Sequence, residues 1–279
     1  SSLMLRLRII TALCMIAIFL PALFLMPPML FSIATVPLVL IAGWEWSRLV
    51  KIRSVIARIG YLLLIVMTLF AASLWLGLPD MFDPQRAQQL LLVAVGVWAF
   101  IFLWIQGYPS SAILWSARPI LGLLGLILLG FTWIAIVTIL NYQSGQWLLL
   151  LAIVIIVLAD VGGFFAGKYF GKHKLAPIIS PGKTWEGFVG GLLLEGVLVG
   201  SLVWYLSDHV TVLGLSLLVI PVALYSVLGD LFESMIKRHS GVKDSGRLLP
   251  GHGGVLDRID GVMAALPMFG LILPFTHTF

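Results

Sequence analysis

Residues 234–260 read SMIKRHSGVKDSGRLLPGHGGVLDRID, directly after the apolar run TVLGLSLLVIPVALYSVLGD at 211–230. The change of character at this junction decides the fold. An apolar run of about 20 residues crosses a bilayer core as one helix, and the charged stretch after it belongs at the water boundary. That stretch carries Lys237, Arg238, His239, Lys243, Asp244, Arg247, His252, Asp257, Arg258 and Asp260, in a chain where only 10% of residues are charged. Pro250, Gly251, Gly253 and Gly254 make part of it a turn and not a regular helix. Charge and glycine gathered in one place in a membrane protein mark a candidate site of chemistry.

Outward from there, the chain is membrane-like throughout. Its 279 residues are 61% hydrophobic with a mean hydropathy of +1.10, whereas a soluble domain is about 45–50% apolar and about 25% charged. Cys14 is the single cysteine, so no intrachain disulfide forms. The net charge of +5 suits basic loops beside anionic headgroups and not a nucleic-acid partner. Ser1-Ser2, ahead of the first Met, is set aside as an expression remnant. The first apolar segment lacks a small-residue cleavage site and is read as a retained span.

Nine segments are long and apolar enough to span: roughly 9–26, 29–46, 59–78, 88–105, 119–140, 146–167, 186–206, 211–230 and 261–276. They are apolar all round, without the alternation of a barrel strand. The fold class is therefore an all-α polytopic membrane protein of about nine helices. With the amino terminus in the cytoplasm, the inner side receives every Lys and Arg except Arg86, as the positive-inside rule requires. The carboxyl terminus then lies outside. Residues 3–142 form an amino-terminal scaffold. Residues 143–279 form a catalytic region with two cytoplasmic loops, 168–185 and 231–260. No internal repeat of the transporter kind is visible.

Carboxylates at the membrane edge are the first candidates. Asp160 sits in LADVGGFF at 158–165, Asp230 and Glu233 in SVLGDLFES at 226–234, and Asp257 and Asp260 in DRID. A charge at the bilayer centre costs about 2.5–3.5 kcal/mol on insertion scales, so such residues need a partner and a purpose. Residues three apart on a helix share a face, so Asp257 points with Asp260 and Asp230 with Glu233. Converging oxygen donors suit Mg²⁺ shared with substrate phosphates; plain neutralisation by Lys237 and Arg258 is the alternative, evenly balanced for Glu233. Glu45 and Glu195, each alone in its segment, are read as structural. Lys237, Arg238, Lys243, Arg247 and Arg258 beside these acids suit phosphate binding.

The turn 251–254, GHGG, can expose successive backbone N–H groups to an anion or simply reverse the chain. His252 within it donates to a phosphate or caps the turn. The other loop, GKYFGKHKLAPIISPGKTWEG at 167–187, contains GKT, yet Pro177 stands where a P-loop needs glycine, and that reading fails. Ser180, Lys183, Thr184 and Glu186 bind a nucleotide or cap the next helix, with binding favoured for Lys183. Gly163, Gly167 and Gly171 suit close helix packing. His173, His209 and His277 read as solvated loop residues. No nucleophile triad and no zinc spacing is present.

These residues resemble a known family. Ser234, Lys237-Arg238, Lys243-Asp244, Gly246, Leu249-Pro250, His252-Gly253-Gly254, Asp257-Arg258 and Asp260 are similar, gap for gap, to the signature of the phosphatidate cytidylyltransferase (CDP-diacylglycerol synthase) family. The loop at 167–187 and SVLGDLFES at 226–234 resemble its bacterial members. The likeness is carried by about residues 145–265, and before them by WEW at 44–46 and hydrophobic character. Gly163-Phe164 departs from the Ala-Tyr pair common in relatives, so no hydroxyl role is assigned there.

The resemblance implies that CTP and phosphatidate give CDP-diacylglycerol and pyrophosphate. It implies Mg²⁺, with or without a second cation, and a homodimer in the inner (cytoplasmic) membrane with its site facing the cytoplasm. It implies Asp230 and Asp257 as metal ligands with Asp260 adjoining, and Lys237, Arg238 and Arg258 as phosphate-holding catalytic residues. Lys183, Ser180, Glu186, Lys243, Asp244, His252 and Gly253 are the expected substrate-binding residues. Two rivals fit less well. A CDP-alcohol phosphotransferase has a D-G-x-x-A-R core that DRIDG at 257–261 lacks. A lipid transporter would place its polar groups near the bilayer midplane.

Overall fold

Prolines and side-chain caps set where the helices of this chain begin. The computed structural model describes residues 2–276; His277 lies outside the described residues. Helix α1 is Ser2–Leu25, α2 Pro28–Leu49, α3 Val55–Trp75 and α4 Pro84–Gly107. A single short turn of helix, α5 (Ala112–Trp115), precedes α6 (Arg118–Leu140) and α7 (Gly145–Phe170). Then come strands β1 (Lys174–Ala176) and β2 (Ser180–Thr184), α8 (Trp185–Tyr205), α9 (Val212–Ser240) and α10 (Leu256–Ile272), closed by a 3-10 turn, Leu273–Phe275. Proline opens α2, α4 and α6 within their first two positions, where its missing N–H costs nothing. Asp83 caps α4 by accepting Gln85 N–H at 3.0 Å and Arg86 N–H at 3.2 Å; Thr184 and Thr211 cap α8 and α9 likewise.

Among the described residues nine helices are long and apolar enough to cross a membrane, and the chain is a multi-pass, all-α membrane protein. α6 is the central post, with 67% of its span buried, and it packs against α2, α3, α4, α7 and α10. α1 is the opposite case at 6%, with Leu23 its one buried residue. An aromatic cluster ties the amino-terminal helices to α9. Phe232 stacks on Trp46 with ring centroids 5.9 Å apart and meets Trp98 edge-on at 5.3 Å, while Trp46 donates from Nε1 to Leu121 O at 2.8 Å.

The two loops expected to be irregular are more ordered than their composition suggests. The stretch 231–260, expected as one cytoplasmic loop, is helical at both ends. α9 runs on to Ser240 because Leu231, Phe232, Met235 and Ile236 recur at helical spacing and are buried. It stops at Gly241, whose φ of +75° suits glycine. α10 starts already at Leu256, so only 241–255 is loop. The other, 168–185, extends α7 by a turn and then forms an antiparallel hairpin pairing Lys174 with Thr184 and Ala176 with Ser180.

Candidate active site

Close helix packing puts the carboxylates together. A Cβ on Gly229 would stand 2.2 Å from Asp260 O, and one on Gly261 3.2 Å from Ser226 O, so α9 and α10 cross almost backbone to backbone. That approach brings Asp230 and Asp260 to the wall of one cavity. α7 and α8 touch in the same way, since a Cβ on Gly162 would meet Gly191 Cα at 2.7 Å and one on Gly187 would meet Gly163 O at 2.6 Å. Of the three glycines expected at a packing face, Gly163 and Gly167 lie against α8, and Gly171 ends α7.

A cavity of about 390 Å³ opens where these pairs meet the hairpin. Asp160, Lys183, Asp230, Asp257, Arg258 and Asp260 line it, together with apolar and glycine positions of α7, α8 and α9. Lys183 reaches from β2 to ion-pair with Asp230. Burial alone would lower the Lys183 pKa, but Asp230 beside it, with Asp160 and Asp260 nearby, holds it above the ordinary lysine value. The lysine is therefore charged throughout the neutral range.

Asp257 is the keystone of the loop before α10. Its carboxylate is 5% exposed. It accepts Gly254 N–H at 2.9 Å and Ser245 N–H at 3.0 Å, and Lys237 Nζ lies 3.0 Å away. The glycines of the 251–254 turn, left open between an anion nest and a simple reversal, are required by this packing. Gly253 has φ +81°, and a Cβ there would stand 2.7 Å from Asp257 Oδ2; Gly254 would meet Glu45 Oε1 at 2.6 Å.

A second cavity, of about 630 Å³, lies on the other branch of the loop. Lys243, Asp244, Arg247, His252, Gly253 and Arg258 line it with Met4 and Arg8 of α1. Arg8 Nε donates to Gly251 O at 3.1 Å, and Thr11 Oγ1 to Pro250 O at 2.9 Å. Arg258, exposed at the start of α10, borders both cavities.

Four expected site residues, Lys237, Arg238, Glu186 and Ser180, stand outside both linings, as does Glu233, whose role was left open. Lys237, between Asp257 and Glu233 (3.8 Å), holds carboxylates together. Arg238 donates to Ile179 O at 3.2 Å and fastens the hairpin to α9. Glu186 binds His173, its Oε1 2.6 Å from Nδ1; His173 is a solvated loop residue as expected, and through this contact it also anchors the hairpin. Ser180 is a strand residue opposite Ala176. Glu233 is 1% exposed, and among the described residues neither of its oxygens has a hydrogen-bond partner. The same holds for Glu195 on α8, 0% exposed and outside both cavities.

Glu45 is the contact that sequence reasoning missed. From α2 it accepts Val255 N–H at 2.9 Å and Leu256 N–H at 2.7 Å, with Ser245 Oγ at 3.4 Å. These are free N–H groups at the positive end of α10, where a carboxylate is favoured. The available signal was a lone acid in the apolar run 29–46. Arg8, counted only as a topology marker, is the other omission.

Among the described residues no three His, Cys, Asp or Glu side chains stand together at metal-ligand spacing. The donor type nevertheless fits a hard divalent cation: Asp160, Asp230, Asp257 and Asp260 bring only oxygens to one cavity, and the oxygens of Glu233, close to Asp257 and Asp260, lack a hydrogen-bond partner.

Comparison with known proteins shows the family. The model of the cytidylyltransferase family matches residues 6–276. A phosphatidate cytidylyltransferase of Haemophilus influenzae is 38% identical over 95% of this chain and 97% of its own length. One of Pseudomonas aeruginosa is 38% identical over 97% of each. One of Staphylococcus aureus is 45% identical over 47% of this chain and 50% of its own. The likeness thus reaches well beyond 145–265 into the amino-terminal helices, where Glu45 and Arg8 lie. The chain belongs to the cytidylyltransferase family and is a nucleotidyltransferase enzyme.

Proposed function

We propose that this enzyme makes CDP-diacylglycerol and pyrophosphate from CTP and phosphatidate at the cytoplasmic face of the inner membrane. The names of the full-length relatives support the substrate pair. The observation that carries the reading is the convergence of Lys183, Asp230, Asp257, Asp260 and Arg258 on one cavity where α9 and α10 cross. Collection of every Lys and Arg but Arg86 on one side supports an inward-facing site. A homodimer belongs to the same reading, and the mass of the purified protein tests it.

A phosphatidate oxygen attacks the α-phosphorus of CTP, a new P–O bond forms, and the bond from that phosphorus to the β-phosphate oxygen breaks. The electron pair leaves with pyrophosphate. The attacking phosphomonoester is already ionised near neutral pH, so no strong general base is required. The protein contributes position and charge neutralisation. Lys183 and Arg258 receive phosphate oxygens, while Lys237 and Glu45 hold the loop and helix that present Arg258. Mg²⁺, when bound, would supply further neutralisation of the phosphates; Asp230, Asp257 and Asp260 would hold it, and a second cation belongs to the same proposal.

The test is purified protein in detergent with labelled CTP, phosphatidate and Mg²⁺. Labelled CDP-lipid and pyrophosphate in equal amounts are expected. If neither appears, the reading fails.

A further inference from the structure

The two cavities that share Arg258 differ in charge and in walls. In the second, Arg8, Lys243, Arg247 and Arg258 face the single carboxylate of Asp244. Among the described residues none of these five is in an ion pair. Among the described residues the buried Nδ1 of His252 has no hydrogen-bond partner, and its residue borders the same space. Gly251 and Gly253, at φ +76° and +81°, bend the backbone around it. Unneutralised cations beside a turn of this kind attract a polyanion. The first cavity is acidic, with only Lys183 and Arg258 as cations, and part of its wall is apolar: Phe164 of α7, Phe188 and Leu192 of α8, Val227 of α9. All four lie on membrane spans.

We propose that the site is divided between its two substrates. The second cavity takes the nucleoside triphosphate, and the first takes the phosphomonoester lipid. The lipid phosphate is received by Lys183 and Arg258, and its chains lie along Phe164, Phe188, Leu192 and Val227. Arg258, common to both, is where the α-phosphate and the attacking phosphate meet. This division rests on the nucleotidyl-transfer reading above. The unpaired cations of the second cavity suit a triphosphate, and the apolar positions of the first lie on membrane spans, where acyl chains can reach them.

The experiment is steady-state kinetics of the full chain in mixed micelles, varying CTP and long-chain phosphatidate separately, with CTP binding measured by equilibrium dialysis without lipid. Lys243→Ala and Arg247→Ala should each raise the KM for CTP about tenfold, the size expected for one lost charge-assisted contact, and leave the lipid KM unchanged. Val227→Trp should raise the KM for long-chain phosphatidate, spare a short-chain one, and leave CTP binding alone. If Val227→Trp does not give monodisperse protein, Phe164→Ala, at a position 64% exposed, should raise the lipid KM alone. The division is overturned if Arg247→Ala weakens lipid and not CTP, if the Val227 or Phe164 variant weakens CTP, or if no variant shifts either KM. Absence of CDP-lipid from the unaltered protein instead overturns the reaction on which the division rests.

Discussion

Glu45 Oε2 accepts the Leu256 N–H at 2.7 Å across 211 positions of sequence. The acid is 6% exposed, and its other oxygen takes the neighbouring Val255 N–H. A helix that bears Asp257, Arg258 and Asp260 in its first turns is thereby fixed by a helix from the far end of the chain. Glu45→Gln keeps the volume but loses the charge and turns one acceptor into a donor facing an N–H. One charge-assisted bond is worth about 1.5–3 kcal/mol, so kcat should fall roughly ten- to a hundredfold, with KM for CTP much less affected. An unchanged kcat in a correctly inserted protein would remove Glu45 from the positioning of α10.

Lys237 stands between two buried carboxylates, 3.0 Å from Asp257 and 3.8 Å from Glu233. Removing one partner of a buried pair leaves an uncompensated charge, at a cost of about 3–5 kcal/mol. Lys237→Met should therefore lower the melting temperature sharply. Adding Glu233→Gln should restore part of it, because the two sites touch and their effects do not add. Melting curves of both singles and the double in detergent measure the coupling, and strict additivity would contradict it.

Asp257→Asn should abolish turnover in a folded, inserted protein. It should also loosen the 244–254 loop, because the carboxylate ties Ser245 N–H and Gly254 N–H to Lys237. Limited proteolysis at Arg247 should become faster. Near-normal activity would exclude Asp257 from the machinery, and unchanged proteolysis would exclude its role in holding the loop.

The nine spans were legible because length and apolarity suffice to define them. Asp230, Asp257, Asp260, Lys183 and Arg258 were legible because charges beside an apolar run are costly without a purpose. The partners of those charges were not. Lys237 and Arg238 look alike in sequence, yet one neutralises carboxylates and the other grips Ile179 O. Ser180 and Glu186 lie in a loop rich in phosphate-binding residue types, but Ser180 is a strand residue paired with Ala176 and Glu186 binds His173. Glu45 and Arg8 were invisible because their contacts form only once α1 and α2 dock on the loop before α10.

Two glycines of the charged loops should respond differently to one methyl group. Gly253→Ala meets a positive φ and a carboxylate oxygen at 2.7 Å, so Asp257 must shift. A residue held at that φ costs about 1–3 kcal/mol, and activity should fall at least tenfold. At Gly182, within strand β2, nothing lies within 4 Å of an added Cβ. Gly182→Ala should fold and melt like the unaltered protein. Equal losses of stability at both sites would show that the turn conformation is not what selects glycine at 253.

The Lys183–Asp230 pair sets the expected alkaline behaviour. The Lys183 pKa is raised above its ordinary 10.5, so its contribution to stability is complete below that value and is lost as pH rises through the higher folded value. Between about pH 6 and 9 the pair should add no step to the stability profile, and loss should begin only in the alkaline range. Lys183→Met removes the cation that ion-pairs with Asp230, in a cavity whose other lining cation is Arg258. Turnover should then fall by more than a hundredfold, as one cation is lost from a site that works by charge neutralisation. The melting profile should lose its alkaline step. A variant that keeps the alkaline step would show that another group carries it, and one that keeps its turnover would take Lys183 out of the reaction.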